Sequence, residues 1–176
     1  IANRALSQDE VRSVMGIVSS IPYNTTLTVA TGATLDLRGT GLTVQNLSGA
    51  GTVDTTAANC APVLTVNETA NSVFEGAIKN SAGTLSLVKK GTGTLSLMSW
   101  QNTYAGSTTI WEGTLRLDAT VFLSGTIVGP TVVLTNGVLR WGNRDNIRDS
   151  ATITLRGGTA DLQDQHEYFG GLTLSD

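Results

Sequence analysis

The triplet Gly-Thr-Leu opens three short alternating strands in the middle of this chain, at 83–87, 93–97 and 113–117. In each strand, leucines two residues apart point to one face and Ser or Arg to the other. Glycine supplies the backbone angles of a corner, and β-branched Thr restarts the extended chain. Strands of this length cannot stand alone, so they must stack on copies of themselves. The corner glycines Gly93, Gly113, Gly137 and Gly158 are spaced 20, 24 and 21 residues apart. A period near twenty, built from short strands and turn signals, predicts a solenoid with one coil per period. The competing arrangement is a β-sandwich, which also alternates but does not require one corner to recur.

Short strands flank this centre on both sides. Leu27-Thr28-Val29, Leu35-Asp36-Leu37, Leu42-Thr43-Val44 and Val63-Leu64-Thr65-Val66 precede it, and Val132-Val133-Leu134, Ile153-Thr154-Leu155 and Leu172-Thr173-Leu174 follow. The stretch from Asp54 to Pro62 lapses into Thr, Ala and Asn and reads as a loop projecting from a coil. Leu85, Leu87, Leu95, Leu97, Leu115, Leu117, Leu134, Leu139, Ile153 and Leu155 are the expected core. Ser86, Ser96 and Arg116 are expected to face solvent. The first twenty residues differ: Ser7 and Glu10 are spaced as a capping box before Val11, Val14 and Met15, predicting a short N-terminal helix. The division that follows is 1–20 as a helical cap and 21–176 as a single β-helix domain.

The centre resembles a known family. Leu87 to Leu97, Asn102 to Ile110 and Glu112 to Leu117 look like the autotransporter-associated β-strand repeat, with its pattern L-x-K-x-G-x-G-T-L-x-L, then N-T-Y-x-G-x-T-x-I/V, then G-T-L. Asn146 to Thr159 and Phe169 to Leu174 resemble segments that often follow such repeats. The resemblance implies a right-handed parallel β-helix on a secreted or surface-attached bacterial protein, and it brings no catalytic residues. Asn3 to Val11 resembles the closing segment of laminin-G/concanavalin-like lectin domains, which implies that residues 1–20 are the tail of an upstream lectin-like domain.

Composition narrows the function classes. Only 14% of the residues are charged, Gly numbers 20 and Pro 3, which favours a β-rich fold over disorder. A net charge of −3 with scattered Lys and Arg predicts no nucleic-acid partner, and the apolar runs are too short for membrane insertion. The chain begins at Ile1 without an initiator methionine, which reads as a processed or excised piece of something longer. Cys60, the single cysteine, admits no internal disulfide and reads as a small buried hydrophobe.

Chemistry finds few footholds. His166 is the sole histidine and lies in a polar stretch, so it reads as a turn residue rather than a base. Asp145, Asn146 and Asp149 offer oxygen ligands for calcium, but Arg144 and Arg148 interleave with them, and a polar turn is the simpler reading. Glycan lyases and hydrolases need converging carboxylates, whereas Asp36, Arg116 and Asp161 are isolated among outward Ser and Thr. No cofactor or metal is expected. The remaining candidates are aromatic: Trp100, Tyr104, Trp111 and Trp141 could stack on sugars if exposed, or brace corners if buried. The expectation is a non-catalytic stalk, spacer or fibre segment of a large extracellular surface protein, with a glycan-binding adhesin module as the alternative. Its partners would be further coils of the same chain or a second copy placed head to tail, covering the apolar edge at Leu172 to Leu174.

Overall fold

A computed structural model describes residues 24–120 and 127–176. The proposed helix and lectin-like tail at 1–20 lie outside the described residues. The chain forms a parallel β-solenoid with fifteen strands in the described regions. These are β1 (Leu27–Val29), β2 (Thr34–Asp36), β3 (Leu42–Val44), β4 (Leu47–Gly49), β5 (Thr52–Asp54), β6 (Val63–Asn67), β7 (Ser72–Phe74) and β8 (Ala77–Ile78). They continue as β9 (Ser86–Lys90), β10 (Thr94–Leu97), β11 (Thr108–Leu117), β12 (Thr131–Trp141), β13 (Thr152–Arg156), β14 (Thr159–Asp161) and β15 (Gly171–Ser175).

Each coil contributes a strand to a first sheet, a second sheet and, early in the chain, a third. The first sheet stacks β1, β4, β7 and β10, then the later halves of β11 and β12, then β14. The second stacks β3, β6 and β9, then the earlier halves of β11 and β12, then β13 and β15. Among the described residues the third contains β2, β5 and β8. All these pairings are parallel, and the register places like on like: Leu95 beside Leu115, and Leu115 beside Leu139.

Strand alternation sends two columns of side chains inward from each main sheet. In the first sheet, one column runs Phe74, Leu97, Leu117, Trp141, all buried. In the second, Val44, Val66, Lys89, Ile110 and Val133 form a column, also fully enclosed. Each buried leucine or valine stabilises the coil by roughly 2 kcal/mol. The expected core is found inside at Leu85, Leu87, Leu95, Leu97, Leu115, Leu117, Leu139 and Ile153. Leu155 is half-buried against that core.

Leu134 departs from expectation. It points outward, and Val133 fills the interior instead. The register jumps between Ile110 and Glu112, whose partners are Val133 and Asn136, so Leu134 and Thr135 together oppose the single residue Trp111. In β11 the inward positions change parity across the corner, from Ile110 to Leu115; the extra residue in β12 keeps Val133, Leu139 and Trp141 on one parity and leaves Leu134 outward. The stretch after Asp54 also begins differently from a projecting loop. Asp54 and Thr55 are buried, and the Asp54 carboxylate accepts the Ser81 backbone N–H at 2.7 Å and its hydroxyl at 2.7 Å.

Candidate functional site: a buried charged corner and the exposed aromatics

Lys89 is the chemical anomaly of the interior. It shares the inward parity of Leu85 and Leu87, which places an ammonium group between Val66 and Ile110. The second sheet turns there into the first, and the corner backbone leaves carbonyls pointing inward. Lys89 Nζ donates to the carbonyls of Lys90 at 2.9 Å, Gly91 at 2.7 Å and Glu112 at 3.0 Å. Its three N–H donors are therefore matched by three acceptors from two successive coils. The turn requires glycine at Gly91 and Gly113, which have φ of 75° and 66°. A β-carbon at Gly91 would collide with the Glu68 carbonyl oxygen, and one at Gly113 with the Gly91 carbonyl oxygen.

One coil earlier, Glu68 is fully buried in the same corner. Its Oε1 accepts the Leu47 backbone N–H at 3.1 Å and the Ser72 hydroxyl at 2.6 Å, while Oε2 has no hydrogen-bond partner. Burial raises the Glu68 carboxyl above its ordinary range, opposed by those hydrogen bonds and by attraction to Lys89. Burial lowers the Lys89 ammonium to about 8, opposed by Glu68 and Glu112. An amine held near 8 resembles a catalytic base in pKa alone. With its donors saturated by main chain and no exposed surface, Lys89 acts as a fastener for the corner.

Asn side chains perform the same service on the opposite side of the coil. Asn102 Oδ1 accepts the Ile78 N–H at 2.9 Å, and Asn146 Oδ1 accepts the Ala119 N–H at 3.0 Å. Glu167 continues the pattern, taking the N–H groups of Asn146 at 2.8 Å and Ile147 at 3.2 Å. Burial pushes the Glu167 carboxyl up to about 7. Sequence reading missed Glu68 and Lys89 as interior groups and Glu167 as a half-buried one. Alternation could have found Lys89, two residues beyond Leu87, and Glu68, two beyond Val66, whereas Glu167 lies outside any periodic run.

The four aromatic candidates separate. Tyr104 and Trp141 are completely enclosed and offer no face to a sugar, which corrects half of the expected set. Tyr104 completes a corner by bonding Thr108 Oγ1 at 2.7 Å, and its burial raises the phenol well above its usual value. Trp141 ends the inward column of the first sheet. Trp100 and Trp111 remain exposed, at 46% and 53%. Trp111 lies before the first-sheet half of β11 and Trp100 after β10, so they flank opposite ends of one strand pair. Lys90 Nζ sits 5.2 Å from the centre of the Trp111 ring, a cation–π contact.

The other candidates have structural surroundings. Asn146 turns its amide into the solenoid, away from an exposed Asp149, so the calcium triad does not converge. No group of three His, Cys, Asp or Glu suited to a metal occurs among the described residues. His166 is exposed, and its carbonyl accepts the Asp145 N–H. Cys60 is half-buried, its thiol directed at the Ala57 carbonyl.

The residues that fasten the corner coincide with one sequence family. Residues 87–117 match the family model of the passenger-associated-transport-repeat. The chain carries this repeat across β9, β10 and β11. No curated protein and no solved structure matches the chain. Within the passenger-associated repeat, Lys89 reaches the Glu112 carbonyl and Asn102 the Ile78 N–H of adjacent coils, Gly91 and Gly113 admit the backbone of the coil before them, and Tyr104 bonds Thr108 within its own coil.

Proposed function

We propose that this chain is a non-catalytic structural segment, a stalk or spacer, of a secreted or surface-exposed bacterial passenger protein. One observation carries the reading: the buried Lys89 and Asn102 of the repeat are consumed by main-chain groups, among them the Glu112 carbonyl and the Ile78 N–H of adjacent coils. Such groups transmit order along the solenoid axis and leave no reactive atom facing solvent. Further coils stacked on β15, from the same chain or from a second copy placed head to tail, would bury Leu172 and Leu174, now 50% and 71% exposed. The adhesin alternative retains Trp100 and Trp111, whose positions at opposite ends of a strand pair suit two separate contacts rather than one sugar platform.

The test is incubation with a panel of neutral and acidic polysaccharides, with and without calcium, beside a glycan-binding screen. The expected result is no reducing ends, no unsaturated products and no retained glycan. Turnover that a single Asp or Glu substitution abolishes would overturn the structural reading. Retention lost in both Trp100→Ala and Trp111→Ala would establish the adhesin instead.

A further inference from the structure

Most asparagines of this solenoid are tied to a neighbouring coil. Asn46, Asn71 and Asn80 each accept a main-chain N–H from the next coil, and Asn102 and Asn146 each accept one from the coil before. An amide held in this way cannot swing toward the peptide nitrogen that follows it. Asn136 is different: it is exposed at the corner of β12, and its side chain makes no hydrogen bond. The next residue is Gly137, the one Asn-Gly step in the chain. Packing obliges that glycine, because a β-carbon there would lie 2.5 Å from the Ile110 carbonyl oxygen. An unbonded carboxamide therefore precedes a residue with no side chain to obstruct ring closure. Asn59 and Asn67 also lack side-chain bonds, but Cys60 and Glu68 follow them and crowd the nitrogen. The ladder is thinnest at the same place. On its later side β12 pairs β13 up to Leu134 and β14 from Val138, which leaves Thr135, Asn136 and Gly137 without a register partner there.

We propose that Asn136 is a site of spontaneous deamidation, and that its product loosens the joint between the two main sheets. Local opening of the corner lets the Gly137 main-chain nitrogen attack Asn136 Cγ. That nitrogen gives up its proton, the bond from Cγ to the side-chain nitrogen breaks, and ammonia leaves a five-membered succinimide behind. Water then opens the ring. Opening at Cγ yields aspartate; opening at the main-chain carbonyl yields isoaspartate, with the chain rerouted through the side chain and one methylene added to the backbone. Water is the sole co-reactant. Either product places a negative charge beside Glu112, the register partner in β11. The Glu112 carbonyl is one of the three that hold Lys89. Isoaspartate also lengthens β12 where an extra residue already sets the register. Since β12 pairs β11, β13 and β14, the lesion reaches three strands at once.

Prolonged ageing of the folded 176-residue chain at body temperature and mildly alkaline pH tests this. Intact mass should show one amide exchanged for a carboxyl. Labelling by an isoaspartyl methyltransferase, followed by peptide mapping, should place the isoaspartate at position 136. Asn136→Gln keeps an exposed amide but closes its larger ring far more slowly, so it should stay unlabelled. The aged chain should melt about 4 °C or more below the fresh one. Asn136→Asp adds the charge without the methylene and should lose less. Isoaspartate that forms at position 136 only in denaturant would overturn the proposal, because the folded corner would then protect it. Isoaspartate appearing first at another described asparagine, or an aged chain that melts as the fresh one does, would overturn it too.

Discussion

The early coils and the late coils close their third side by different means. From β2 to β8 that side is a sheet, and main-chain donors meet main-chain acceptors: Leu37 N–H to the Asp54 carbonyl at 2.8 Å, Lys79 N–H to the Val53 carbonyl at 3.0 Å. Among the described residues the third sheet ends at β8, and beyond it Asn102, Asn146 and Glu167 take up N–H groups. The change of regime occurs at the passenger-associated repeat itself, residues 87–117. Coils of variable length cannot keep every strand in register, but a side chain can reach a donor that a strand would miss. A solenoid can thus lose a sheet without leaving buried donors unpaired, provided an amide or carboxylate replaces it.

The largest effect should come from breaking the corner where the two regimes meet. Lys89→Met removes the donor to three carbonyls and leaves the buried Glu68 carboxylate without its nearest cation, which should cost about 3–5 kcal/mol. Denaturant unfolding would measure it; a loss under about 1 kcal/mol would mean the fastener is dispensable. Asn146→Ala should cost less, about 2–3 kcal/mol, by stranding the Ala119 N–H and the carbonyls of Asn143 and Arg144. Its loss should appear locally in hydrogen exchange, with faster exchange at Ala119 and unchanged protection at Leu37 and Lys79, where backbone pairs with backbone. Uniformly faster exchange would show that the two regimes are one cooperative unit.

The smallest effect separates the regimes by pH. Burial holds Glu167 at about 7 against 4.5 for the free side chain, so the folded chain keeps a proton that the unfolded chain has already lost between those values. Its contribution to stability is full below about 4.5 and is lost as pH rises through about 7. Glu167→Gln should flatten the melting temperature over that window. Glu68, shifted in the same direction, leaves a residual slope. An identical pH profile in wild type and Glu167→Gln would remove Glu167 from the closure of the last coils.

Much of the architecture was legible because it rests on local rules. Alternation of Leu with Ser or Thr sets which face is inside, and the recurring Gly-Thr-Leu corner sets the period, since each depends only on residues near one another in the chain. That reasoning places Leu95, Leu97, Leu115 and Leu117 inside, as found. Leu134 escapes the spacing of the earlier corner, because an extra residue opposite Trp111 keeps Val133 on the inward parity of Leu139, and a bulge is a relation between two strands. Trp141 and Tyr104 were ambiguous for the same reason: an indole at a strand end is enclosed or exposed according to what the next coil lays over it. Exposed Trp100 and Trp111, enclosed Tyr104 and Trp141, and a buried ammonium answered by three carbonyls were decided by stacking alone. The sequence by itself determined a coil of this shape and period; the tertiary structure decided which polar groups each coil must satisfy for its neighbour, since those partners lie about one period away along the chain.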